Sequence, residues 1–216
     1  MQDIKLFIFD LDGTLIDSMY VWDQVSINFF KNNNLKLTQE YLNLISNMSF
    51  QESAEYTIKK YNLNKTIQDV INEWNNLALF EYSNNVKLKE NALTYLKYLK
   101  SQNIKLAIAT SLTKLLAEAV LTSNNLLNIF DYILTTEEVG KDKDYPDIFL
   151  DILKHFNINN NECIAVEDSL KSIKTLKELN IKTYGIYDKS SHNHKEEIQK
   201  LVDKYIFNYD SLLNFN

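Results

Sequence analysis

The chain has 216 residues, 45% of them hydrophobic and 24% charged, with a formal net charge of −6. That length admits one domain, or a core carrying a smaller insert, and suffices to bury a true core. The acidic balance and the lack of a basic cluster exclude a nucleic-acid footprint, the apolar runs are far shorter than a membrane span, and the amino terminus has no basic-then-apolar leader. A cytoplasmic protein is expected, acting as a monomer. The single cysteine, Cys163, has no partner for an internal disulfide and reads as a small core residue. All 23 basic residues are lysine, and there are only three glycines and one proline, a compositional bias with no functional content of its own.

Along the chain, the apolar run Leu6-Phe7-Ile8-Phe9 predicts a buried strand that runs out into Asp10-Leu11-Asp12-Gly13-Thr14. Positions i and i+2 of an extended segment point the same way, so Asp10 and Asp12 face one centre while Leu11 faces the core. Two carboxylates this close need a cation, a proton or strong donors to hold them there. Residues 18–85 then carry helical periodicity. Asp17 and Ser18 predict an N-cap for a helix through Trp22, Val25 and Phe29. Glu52, Ala54, Ile58 and Tyr61 mark another helix, and Ile67, Val70, Ile71, Trp74, Leu77 and Ala78 share one face of a third.

From about residue 86 helices alternate with short apolar strands. Predicted helices over 89–101, 113–123, 146–156 and 170–179 lead into strands at 106–109, 132–134, 163–166 and 182–186, with a final edge strand at 205–207. This alternation predicts a parallel sheet covered on both faces, with residues 18–85 as a helical insert in a core of 1–17 and 86–216. In such sheets the reactive crevice lies beyond the carboxyl ends of the strands. There stand Asp10 and Asp12, then Thr110 and Ser111, then Lys141 and Lys143 ahead of Pro146-Asp147, then Glu167, Asp168 and Ser169. Taken singly, the hydroxyls read as helix caps, Glu-Asp-Ser as an acidic first turn and Lys143 as a solvated charge. Four such clusters at successive strand ends favour a site.

Asp10-Leu-Asp-Gly-Thr, Ala109-Thr110-Ser111, Lys143 before Pro146-Asp147, and Glu167-Asp168-Ser169 closely resemble the four ordered motifs of the haloacid dehalogenase superfamily. A helical insert directly after the first motif resembles the subfamily of β-phosphoglucomutase and phosphoglycolate-type phosphatases. The resemblance implies an α/β fold, a Rossmann-like parallel core with an inserted α-helical cap. It also implies Asp10 as nucleophile and Asp12 as general acid and base, with Mg²⁺ held by Asp10, Asp168 and the Asp12 carbonyl and by Glu167 as ligand or close neighbour. Lys143 would neutralise charge, while Thr110 and Ser111 hold phosphate oxygens. The second acid, Asp12, disfavours dehalogenase chemistry. The family's Lys-Pro-x-Pro-Asp reads here Lys143-Asp144-Tyr145-Pro146-Asp147, which selects Lys143 over Lys141 by spacing.

The implied activity is a phosphatase acting on a small phosphorylated metabolite, with a sugar-phosphate mutase as the alternative. A mutase must hold a second phosphate, a task that in β-phosphoglucomutase resembles a cap arginine next to the turn that reads Ser49-Phe50 here. Phe50 takes that place, and the chain has no arginine. Cap residues expected toward substrate are Met19, Trp22, Asp23, Asn47, Met48, Ser49 and Phe50, with Trp22 and Ser49 the candidate contacts. For Trp22 and Phe50 a place in the cap's own core is the stronger expectation.

Overall fold

The computed structural model describes residues 3–46 and 48–213. The chain divides into two compact units, one made of residues up to Met19 together with those from Val86 onward, the other of Tyr20–Asn85. Strands β1 (Leu6–Phe9) and β2 (Ile16–Asp17) come first, followed by helices α1 (Val21–Asn32), α2 (Gln39–Ile45), α3 (Phe50–Tyr61) and α4 (Ile67–Asn84). Then come β3 (Lys87–Leu88), α5 (Ala92–Ser101), β4 (Lys105–Thr110), α6 (Lys114–Ser123), β5 (Tyr132–Thr135), α7 (Thr136–Val139) and α8 (Asp147–Phe156). The remainder is β6 (Cys163–Glu167), α9 (Leu170–Glu178), β7 (Lys182–Ile186), α10 (Lys195–Leu201), β8 (Lys204–Ile206) and α11 (Asp210–Leu213). No helix among the described residues is long and apolar enough to cross a membrane.

Six strands form one parallel sheet in the order β5-β4-β1-β6-β7-β8. β1 is central, with Phe7 opposite Leu106 on one side and Ile164 on the other. Period-two alternation splits its side chains between two chemically different faces. Leu6 and Ile8 join a mainly aliphatic cluster with Ala107, Ile152 and Cys163 that also takes in Phe149. Phe7 and Phe9 enter an aromatic one, where Phe7 meets Tyr95 at 6.0 Å and Tyr95 stacks on Tyr209 at 5.7 Å. From β1 the chain proceeds to β4 and β5 on one side, then crosses to β6, β7 and β8 on the other. The ends of β1 and β6 therefore open a crevice at a topological switch point.

In the helical unit, Val25, Phe29, Phe30, Val70, Trp74 and Ala78 are buried, with Phe29 edge-on to Trp74 at 5.6 Å. Capping boxes start α3 (Ser49 with Glu52) and α4 (Thr66 with Asp69), each worth about 1 kcal/mol.

Three local expectations are corrected. Asp17 and Ser18 do not cap α1: that helix begins at Val21 behind Tyr20 without a side-chain cap, and Asp17 lies in β2 opposite Lys87. Thr110 and Ser111 do not cap α6; Thr113 does, its hydroxyl accepting from Leu116 N. The last strand spans Lys204–Ile206, one residue earlier than the pattern suggests, and leaves Phe207 exposed.

Helix ends show how a chain with three glycines stops its helices. Among the described residues seven asparagines have positive φ, and six of them precede Leu or Ile: Asn34, Asn62, Asn103, Asn125, Asn157 and Asn180. In each case the N–H of that Leu or Ile donates to the carbonyl five residues back, as Leu35 does to Phe30 and Ile181 to Leu176. These are Schellman closures with asparagine, the side chain that tolerates the left-handed region best after glycine, in the glycine position.

Candidate active site

β1 delivers Asp10 into the crevice, where it is buried and its N–H donates to Val166 O at 3.1 Å. Gly13 turns the chain with φ +75°, a conformation that favours glycine. Space demands glycine too, because a Cβ there would lie 2.7 Å from Asp168 Oδ2. Thr14 closes the loop: its hydroxyl donates to Asp168 Oδ1 at 3.0 Å, and its carbonyl accepts from the buried Tyr209 hydroxyl at 3.1 Å. Lys143 comes from the segment between α7 and α8 and is buried. Its ammonium donates to Asp10 Oδ1 and Glu167 Oε1, both at 2.5 Å. The other Glu167 oxygen accepts from Asp168 N at 2.8 Å and Ser169 N at 3.2 Å.

The result is a cavity of about 310 Å³ that includes Asp10, Asp12, Ser111, Lys143, Glu167 and Asp168 in its lining. Thr110 is buried at the end of β4, its hydroxyl accepting from Leu112 N at 3.1 Å, and does not line the cavity. Trp22 and Ser49 belong to the helical unit. There Trp22 is exposed and edge-on to Phe50 at 5.5 Å, and the Ser49 hydroxyl is engaged by Glu52 N as the α3 cap. Asn47 lies outside the described residues.

Electrostatics set the character of the cavity. Asp10, Glu167 and Asp168 each offer an oxygen within 4.8 Å of the others, and Lys143 is the cation shared by Asp10 and Glu167. Burial, then the Glu167 charge, push Asp10 up to about 7 despite Lys143. Burial, Glu167 and Asp10 push Asp168 well above the usual carboxylate range. Lys143 is held protonated: burial opposes its charge, but Asp10 and Glu167 more than offset that. One oxygen of Asp10 and one of Asp168 make no hydrogen bond within the described residues. Hard oxygen donors with an excess of negative charge fit a divalent cation.

Three partnerships have no signature in the sequence. Ser18, which resembles a helix cap, instead donates to Asp12 Oδ1 at 2.5 Å. Glu167 orients Lys143 through one oxygen and the Asp168 and Ser169 amides through the other. Tyr209 reaches Thr14 across 195 positions of chain, for which no local signal exists.

Gly13→Ala is expected to cost about 1–2 kcal/mol in backbone strain and to displace Asp168. Its thermal stability should no longer rise when Mg²⁺ is added. An unchanged Mg²⁺-induced rise in melting temperature would refute the role of that close approach.

Comparison with known proteins finds relatives along most of the chain. A family model described as haloacid dehalogenase-like hydrolase matches residues 7–186. The phosphoglycolate phosphatase of Colwellia psychrerythraea is 23% identical over 96% of this chain and 94% of its own. The phosphorylated carbohydrates phosphatase of Thermotoga maritima is 23% identical over 85% of each chain. Among solved structures, CbbY from Rhodobacter sphaeroides in complex with phosphate superposes with a TM-score of 0.77 at 20% identity, covering 97% of this chain and 96% of that one.

Proposed function

The chain belongs to the haloacid dehalogenase-like hydrolase family, and on that premise we propose that it is a Mg²⁺-dependent phosphatase acting on a small phosphorylated metabolite through an aspartyl-phosphate. One observation carries the reading: Asp10 is pinned through one oxygen by Lys143 and keeps the other unpaired in a cavity it shares with Asp12 and Asp168. The names of the two phosphatase relatives support it.

In the proposed reaction the unpaired Asp10 oxygen attacks phosphorus, and the bond from phosphorus to the organic oxygen breaks. Asp12 gives its proton to that leaving oxygen, then takes one from the water that attacks the acyl phosphate and releases inorganic phosphate. Ser18 holds Asp12 through its Oδ1. Lys143 offsets the negative charge that Asp10 and the phosphoryl group bring together, and Ser111, in the cavity lining, completes the phosphate contacts, while Thr110 shapes the turn behind it through Leu112 N. Asp10, Asp168 and the Asp12 carbonyl would hold Mg²⁺, which when bound supplies positive charge against the anionic phosphate. Glu167, with both oxygens engaged, acts by positioning Lys143. The helical unit serves as a cap that selects substrate and excludes water. Phosphatase is favoured over mutase because the chain has no arginine and Phe50 packs against Trp22 and Trp74, at 5.5 and 5.2 Å.

A panel of phosphomonoesters assayed for phosphate release with Mg²⁺ and with a chelator tests this. Mg²⁺-dependent release is expected. No release from any ester, p-nitrophenyl phosphate included, would overturn the reading. Conversion of β-glucose 1-phosphate to glucose 6-phosphate without release would replace it with the mutase.

The acidic cluster also predicts a pH dependence of stability. Asp10 titrates at about 7 in the folded protein, against about 4 in an unfolded chain. The folded state thus binds the extra proton between those values, so stability is greatest below the lower one and declines as pH rises through the upper. Metal-free protein is expected to melt at a lower temperature at pH 8 than at pH 5.5, and saturating Mg²⁺ should narrow the difference. A metal-free melting temperature that rises over this interval would contradict the cluster's electrostatics.

A further inference from the structure

A second cavity lies wholly within the helical unit, and no step of the proposed reaction uses it. It measures about 330 Å³ and is lined by Trp22, Met48, Phe50 and Trp74, among other apolar residues, together with Asp23 and Ser53. A space of that size suits a small molecule. Its walls include both tryptophans of the chain, with Phe50 edge-on to each.

The polar groups narrow the chemistry. The other two serine hydroxyls of the lining are satisfied internally: Ser26 donates to Trp22 O at 3.0 Å and Ser46 to Asn43 O at 2.9 Å. Ser53 differs. It is 6% exposed, and its hydroxyl has no hydrogen-bond partner among the described residues. No enclosed side-chain oxygen among the described residues lacks a partner, so this hydroxyl opens onto the cavity, and a ligand that covered it without a hydrogen bond would leave it unpaired at a cost. A hydrocarbon would leave Ser53 unpaired, whereas a polyhydroxylated sugar would leave its own hydroxyls facing aromatic walls. A ring with one hydrogen-bonding group satisfies both constraints.

We propose that this cavity binds a small ring-bearing alcohol or amine, its ring among Trp22, Phe50 and Trp74 and its polar group on the Ser53 hydroxyl. Asp23 adds an acceptor that favours an amine or hydroxyl over an anion. Two sources share this chemistry, the organic part of a phosphoester substrate and a separate effector.

Because the chain's only tryptophans line the cavity, their emission reports occupancy directly. Titration of the intact protein with benzyl alcohol and with benzylamine is expected to give a saturable change, and glycerol none. Ser53→Ala should weaken benzyl alcohol about three- to tenfold. Trp22→Leu, at an exposed position, should weaken both ring compounds and keeps the proposal testable if Ser53→Ala misfolds. An absent or non-saturable response, an equal response to glycerol, or affinities unmoved by either substitution would overturn the site. The titration involves no phosphoryl transfer, so its failure is distinct from failure of the phosphatase reading. During turnover, benzyl alcohol raises KM if the ring belongs to the substrate and leaves KM unchanged if it belongs to an effector.

Discussion

Asp10→Asn is expected to abolish turnover, by about 10⁴-fold or more, and at the same time to raise the stability of the metal-free protein. The two effects have one cause. Asp10 is held in a buried cluster with Glu167 and Asp168, where its ionisation is resisted first by burial and then by Glu167. An amide keeps the shape and removes a charge that folding must bury. Neutralising a strained catalytic group commonly yields about 0.5–2 kcal/mol. Phosphate release and chemical denaturation of the same variant check both halves. An active Asp10→Asn enzyme would eliminate Asp10 as nucleophile. An inactive variant less stable than the parent in chelator at pH 8 would show that the cluster is not the electrostatic burden inferred from its geometry.

Lys143→Met is expected to destabilise the protein by about 3–5 kcal/mol, the usual cost of stripping the partner from a buried charge pair. Lys143 bridges Asp10 and Glu167 at 2.5 Å each, with its side chain almost wholly enclosed. Methionine retains the length but leaves the acids without their shared cation. The affinity of Asp10 for a proton rises further, so the loss is full at pH 8 and recedes as pH falls toward 5, where Asp10 binds a proton in place of the ammonium. Urea denaturation at the two pH values provides the measurement. An equal loss at both would mean that packing of the lysine stem, and not its charge, holds the segment between α7 and α8.

Much of the fold is legible in the sequence because the central strands are continuous apolar runs ending abruptly in polar residues. Leu6–Phe9, Lys105–Thr110 and Cys163–Glu167 are buried almost throughout, so their ends stand out and the residues after them can be compared. That pattern alone brings Asp10, Asp12, Ser111, Glu167 and Asp168 to one sheet edge, whereas Lys143, beyond β5 and α7, is singled out from Lys141 by the family motif's spacing. Elements without it leave no such trace. α2 buries only Tyr41, and β2 and β3 have two residues each, too few for alternation to register. Ser18 imitates a cap because Asp-Ser before an apolar helix satisfies the capping pattern. Its hydroxyl chooses a carboxylate six residues back only because the β1 loop folds toward it. The Tyr209–Thr14 bond is likewise a product of tertiary folding.

The six asparagine stops lie outside the lining of the acidic cavity. Each retains a modest left-handed penalty that a glycine would relieve. Heritable variation at these helix ends can therefore tune thermal tolerance in small steps while the chemistry stays as it is. Thermal tolerance can thus shift at positions that the acidic cavity does not use.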